Sequence, residues 1–151
     1  MSPKELDELD YKILSELMKD ARKSVREIAK AVNSSPATVH SRLQKLIKKG
    51  VIRGFIPLVD SSKVGYPVTA IIMVSAKGEM LRKLEEELRS IKNVIAIYDI
   101  TGDYDLMIIA KFRDMEGLDV FVKDLLAREE VVKTLTHIAF NVVKEDLRLP
   151  L

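Results

Sequence analysis

The sequence predicts an α+β chain in two parts, an N-terminal winged helix-turn-helix followed by a ferredoxin-like βαββαβ sandwich. Three observations predict it. Two short amphipathic helix patterns, joined by Asn33-Ser34, carry a dense basic surface; the net charge changes sign near residue 54; and the remaining chain alternates apolar strand runs with helical stripes in the order βαββαβ.

Taken in order, Leu6, Leu9, Ile13, Leu14 and Leu17 form a helical stripe, and Asp7 is placed to cap the helix that bears it. Glu5, Asp7, Glu8 and Asp10 crowd the start of that helix. Carboxylates there complement the positive end of the helix dipole, so the cluster reads as stabilisation rather than as a metal site. Ser24-Val25-Arg26-Glu27 is a capping box, in which the Ser and Glu side chains satisfy otherwise orphaned backbone donors. Val25, Ile28, Ala29 and Val32 then recur at i, i+3, i+4, i+7 and share one buried face. After the Asn33-Ser34 turn, Ser35 caps a further helix with Pro36 at its first position, and Gly50 supplies a left-handed stop. Its expected inward residues are Val39, Leu43, Leu46 and Ile47. The run from Val51 to Val59 reads as a strand that forms the wing, ending in a hinge at Asp60-Ser61-Ser62.

Between Ala21 and Gly54 the basic residues are Arg22, Lys23, Arg26, Lys30, Arg42, Lys45, Lys48, Lys49 and Arg53, and the only acid is Glu27. Helical phase leaves Ala37, Thr38, Ser41 and Lys45 opposite the apolar stripe of the last helix, with His40 and Arg42 on its flanks. Small and polar residues near a helix start admit it to a major groove about 12 Å wide. Thr38, His40, Ser41 and Arg42 are therefore expected at base edges or lining the groove, with Ser35 at the helix entrance. Arg22, Arg26, Lys30, Lys45, Lys48 and Arg53 are expected at phosphates. A plainer role is open at each position: Arg42 can cover apolar surface with its stem, and His40 can be an ordinary flank residue.

Residues 1–54 carry 12 Lys or Arg against 7 Asp or Glu, a net +5, whereas residues 55–151 carry 13 against 16, a net −3; the overall +2 conceals the asymmetry. The expected division is a DNA-binding unit over 1–54, a connecting strand and hinge over 55–65, and a second domain over 66–151. The absence of cysteine removes disulfides, thiol catalysis and thiolate metal sites, and the two histidines, His40 and His137, lie far apart. No stretch is long and apolar enough to span a bilayer and no leader pattern opens the chain, so no membrane partner and a cytoplasmic location are expected.

In the second half, Val68 to Val74 reads as a strand, Leu81, Leu84, Leu88 and Ile91 as a helical stripe, and Val94 to Ile100 as a second strand. Thr101-Gly102-Asp103-Tyr104 turns the chain into a third strand from Leu106 to Ala110. Asp114 caps a helix with Leu118, Phe121, Val122 and Leu125 buried, and Val132 to Val143 supplies the last strand. Two helices cover one face of such a four-stranded antiparallel sheet and leave the other open. Ile71, Met73, Ile97, Ile108 and Phe140 make either face apolar enough to stick, and an uncovered apolar sheet predicts a homodimer.

Leu6-Asp7-Glu8-Leu9-Asp10-Tyr11-Lys12-Ile13-Leu14, the basic helices through Ser35, Thr38, Val39 and Arg42, the Lys49-Gly50-Val51-Ile52 exit, and Thr101-Gly102-Asp103-Tyr104-Asp105 together resemble the Lrp/AsnC, or feast/famine, regulators. The resemblance runs from Leu6 to near Leu149. It implies dimers that assemble into tetramers or octamers, bent or wrapped double-stranded DNA, and sensing of an amino acid or related metabolite, with no other cofactor. Chemically, turn N–H groups suit a carboxylate, Asp103 or Asp105 suits an ammonium, and Thr101, Thr134 and Thr136 offer neutral hydroxyls. The family's effector pocket is similar, formed by this turn and the final strand, and the role carries over to Thr101, Gly102, Asp103, Tyr104, Asp105, Thr134, Thr136 and His137. Two other classes remain: an architectural DNA protein without effector control, and a metabolic enzyme on a ferredoxin-like domain, against which stands the absence of Walker, dinucleotide-binding and HExxH motifs. Asp99, Asp103 and Asp105 read as solvent-facing hairpin acids rather than metal ligands.

Overall fold

A computed structural model describes residues 6–151, so Glu5 lies outside the described residues. The chain divides into two units: residues 6–58 with Glu145–Leu151, and Val59–Lys144. The last seven residues thus group with the first unit.

The first unit holds three helices: α1 (Glu8–Lys19), α2 (Val25–Ala31) and α3 (Pro36–Lys48). Each begins on a side-chain cap. Asp7 and Asp10 form a reciprocal box at α1, Ser24 and Glu27 another at α2, and Ser35 accepts the Thr38 N–H at α3 with Pro36 just inside. α3 ends in a Schellman turn, in which the Val51 N–H donates to the Leu46 carbonyl and the Gly50 N–H to that of Ile47, both at 2.9 Å. Gly50 adopts φ +70°, as that turn requires. Ile13, Leu14, Ile28, Ala29, Val39 and Leu46 form the core.

Ile47 departs from the expected core set: it is 43% exposed. It lies about 80° around the helix from Val39, near the limit of the buried stripe, and at the last turn no element covers it. The expected wing strand is also absent. The segment from Val51 to Val59 runs without strand pairing, and Phe55, Ile56, Leu58 and Val59 are exposed. Its β-branched and aromatic residues favour extended backbone, but a strand needs a neighbour to complete its ladder, and this segment has none among the described residues.

The second unit contains β1 (Val68–Ala76), α4 (Leu81–Arg89), β2 (Val94–Asp99), β3 (Leu106–Phe112), α5 (Met115–Leu126) and β4 (Val131–Ile138). The sheet order is β2-β3-β1-β4 and every pairing is antiparallel. β4 stops at Ile138, short of the expected Val143. Ala70, Ile72 and Val74 of β1 and Leu106, Ile108, Ala110 and Phe112 of β3 pack with Leu84 and Leu88 of α4 and Leu118 and Leu125 of α5. Phe112 meets Phe121 with ring centroids 5.4 Å apart.

Cross-strand register separates the residues proposed as sticky. Ile97 is paired with Ile108, and both belong to the helix-covered core. Ile71 is paired with Ile109, and Met73 with Met107, on the opposite, uncovered face. Phe140 lies beyond the end of β4 and is fully exposed.

Candidate nucleic-acid interface and effector site

The turn between α2 and α3 is built on Asn33, whose φ of +52° is tolerated by its short polar side chain, and on the Ser34 N–H donating to the Ala29 carbonyl at 2.9 Å. This turn fixes the outer face of α3. Of the residues expected at DNA, Arg22, Arg26, Lys30, Ser35, Thr38, His40, Ser41, Lys45, Lys48 and Arg53 are all exposed. Ser35 and Thr38 are engaged in the cap, their hydroxyls 2.8 Å apart, so they shape the entrance of the helix. Gln44 lies on the same outer face between Ser41 and Lys48 and is exposed. Sequence reasoning passed over it, although a count of i+3 and i+4 from Ser41 and His40 places it there.

Arg42 differs from the rest. Its guanidinium turns toward the first turn of α1, where Nη1 donates to Asp7 Oδ2 at 2.5 Å and to both oxygens of Asp10 at 3.2 Å. The Asp10 N–H and the Arg42 guanidinium hold the Asp7 carboxyl below the ordinary carboxylate range, and Asp7 in turn raises Arg42. Of the residues expected at base edges, Arg42 is thus the one whose guanidinium is engaged within the protein, by Asp7 and Asp10. Elsewhere in the unit, Glu16 accepts from Lys19 at 2.5 Å and pairs with Lys23, joining α1 to the loop before α2. Those two ammonium groups lower the Glu16 carboxyl to about 2. Arg22, by contrast, makes a surface pair with Asp20.

In the second unit, the turn from Thr101 to Asp105 joins β2 to β3 and is tied to β1. The Asp105 N–H donates to the Val74 carbonyl at 2.9 Å, and Asp105 Oδ2 accepts the Ala76 N–H at 2.8 Å beside a register shift at Ser75/Ala76. Gly102, at φ +119°, lets the chain reverse. Tyr104 reaches β4, with Lys133 Nζ 4.8 Å from its ring centroid. The turn and the last strand thus come together at one end of the sheet.

The expected effector residues do not share one face. Thr134 and Thr136 are paired with Val74 and Ile72 and lie on the helix side, half-buried, whereas His137 is paired with Ile71 on the uncovered side. Thr101, Gly102 and Asp103 are exposed at the turn. Lys133, absent from the expected set, alternates with Leu135 and His137 and so belongs to the uncovered face. Strand alternation from His137 locates it. Among the described residues no group of three or more His, Asp or Glu is placed to hold a metal ion, and no helix is long and apolar enough to cross a membrane.

Comparison with known proteins matches both units. Residues 6–53 fit the family model of a winged helix-turn-helix DNA-binding domain, and residues 69–149 that of the Lrp/AsnC ligand binding domain. An uncharacterized HTH-type transcriptional regulator of Pyrococcus furiosus is 47% identical over 96% of this chain and 98% of its own length. The HTH-type transcriptional regulator FL11 of the same organism is 32% identical, covering 96% of each. Among solved structures, a transcriptional regulator of Neisseria meningitidis in complex with L-Met superposes with a TM-score of 0.86 at 28% identity, over 96% of both chains. AsnC of E. coli superposes with a TM-score of 0.81 at 30% identity, over 93% of this chain and 95% of that one.

Proposed function

This chain belongs to the Lrp/AsnC family of transcriptional regulators, with a DNA-binding and a ligand-binding domain, and from that premise we propose that it is a sequence-specific regulator whose assembly or DNA affinity responds to an amino acid. The observation that carries the DNA half is the outer face of α3: His40, Ser41, Gln44, Lys45 and Lys48 are exposed together while Val39 and Leu46 are buried beneath them. His40, Ser41 and Gln44 read base edges in the major groove. Arg22, Arg26, Lys30, Lys45, Lys48 and Arg53 meet phosphates. Ser35 and Thr38 hold the helix entrance open.

The effector half rests on the turn at Gly102. An α-amino acid needs both its charges matched: turn N–H groups and Lys133 face its carboxylate, and Asp103 or the second oxygen of Asp105 faces its ammonium. Tyr104, Thr101 and His137 complete the nearer wall, and Thr134 and Thr136 fix β4 from the helix side. Because these groups are open in a single chain, a second copy closes the pocket, so occupancy shifts the oligomer and with it the spacing of the α3 helices. The uncovered sheet face, with Ile71, Met73, Met107 and Ile109, supplies the dimer contact.

Selection of duplexes from a random pool, with and without a mixture of the common amino acids, tests both halves. An enriched motif whose yield changes with the mixture supports the proposal. No enrichment over competitor DNA points to an architectural protein, and an enriched motif indifferent to every amino acid removes the effector half.

A further inference from the structure

We infer that Arg42 is a positioning residue, which sets the orientation of α3 against α1 and makes no contact with DNA itself; the inference rests on the DNA-binding reading above. Asp10 is 2% exposed and the Arg42 side chain 30%. The two acids that hold Arg42 are fixed independently of it, because they form the capping box of α1: Asp7 Oδ1 accepts the Asp10 N–H at 3.0 Å, and Asp10 Oδ2 accepts the Asp7 N–H at 3.2 Å. Arg42 therefore docks onto a preset pair of carboxylates 32 and 35 residues earlier in the chain.

This contact supplies what the apolar stripe of α3 does not. Val39, Leu43 and Leu46 hold the inner face of the helix against the core through a force that is itself non-directional. A charge-assisted hydrogen bond is directional. Arg42 lies about 60° around the helix from Val39, so its link to Asp7 and Asp10 acts off the axis and resists rotation. A turn of about 20° carries a side-chain tip, about 5–6 Å from the axis, roughly 2 Å sideways. That exceeds the tolerance of a hydrogen bond to a base edge.

The test measures affinity for a selected duplex and for a random-sequence duplex of equal length, each across a salt series, with Lys45→Met as the phosphate-contact control. Arg42→Met is expected to lose about tenfold for the selected duplex, the size of one base contact, while its salt slope matches the unmodified chain. Arg42→Lys is expected to recover part of that loss. Asp7→Asn keeps a good cap and leaves Arg42 in place, so it tests the same idea in a chain that retains the cation. It is expected to lose affinity for the selected duplex without steepening the slope, whereas Asp7→Asn binding that duplex as tightly as the unmodified chain while Arg42→Met loses tenfold would mean that Arg42 reads a base, and overturns the inference. A slope that falls by about one per protomer in Arg42→Met, as in Lys45→Met, or tighter and more salt-dependent binding by Asp7→Asn, would mean that Arg42 contacts phosphate and overturns the inference. Failure of the unmodified chain to bind any duplex would instead overturn the DNA reading, and the inference with it.

Discussion

Glu16 shows how one carboxylate can govern the first unit. Its folded-state value of about 2, against an ordinary 4.5, means that Lys19 and Lys23 stabilise the ionised form. The stabilisation is fully present above about pH 4.5 and is lost as pH falls through about 2, because below that point folded and unfolded chains both bind the proton. Glu16→Gln is thus expected to lower the melting temperature of the first unit at pH 6, with the gap to the unmodified chain closing toward pH 2. A gap that stays constant with pH would remove the ion pairs as its cause. At Gly50, nothing lies within 4 Å of where a Cβ would stand, yet φ is +70°, so Gly50→Ala is a test of backbone strain alone. It should cost about 1–2 kcal/mol in urea unfolding. Gly50 was legible from its place after an apolar stripe. The partner of Arg42 was not, since a helical wheel gives the angle of a side chain and leaves unstated which carboxylate, more than thirty residues away, sits across from it.

At the scale of elements, the strongest signals were those whose physics is local. The Asp7 cap, the box at Ser24, the Ser35-Pro36 start and the Asp114 cap each form within a few residues of chain and are legible from local sequence, while the reciprocal bond from the Asp7 N–H to Asp10 emerges only in the structure. Ser24→Ala should accordingly cost about 1 kcal/mol in the same unfolding measurement, with Asp or Asn at that position close to neutral. The segment from Val51 to Val59 marks the opposite case: residue types allow a strand, but pairing is non-local and none of the described residues provides it. Thr134 and Thr136 show a related limit. Their alternation put both on one face, but which face follows only from pairing with Val74 and Ile72. For Lys133, alternation from His137 gives the face, but its contact with the Tyr104 ring follows only from tertiary structure.

For the molecule as a whole, two separate cores and a charge that changes sign between them match the two family domains, a cationic helix-turn-helix unit and a β-sheet unit of the ligand-binding kind. If the uncovered sheet face joins two copies, Ile109→Lys should leave the core beneath β3 intact and convert a dimer into a species near 17.1 kDa in sedimentation. Unchanged mass would place the contact elsewhere. The central claim, that the basic first unit docks on a duplex through α3, is tested most directly by the salt dependence of binding to duplex DNA. The expected result is a steep linear fall of log affinity with log salt, whose slope decreases by about one per protomer for each of Lys30→Ala and Lys45→Ala. A flat response, or a slope that neither substitution changes, would contradict it.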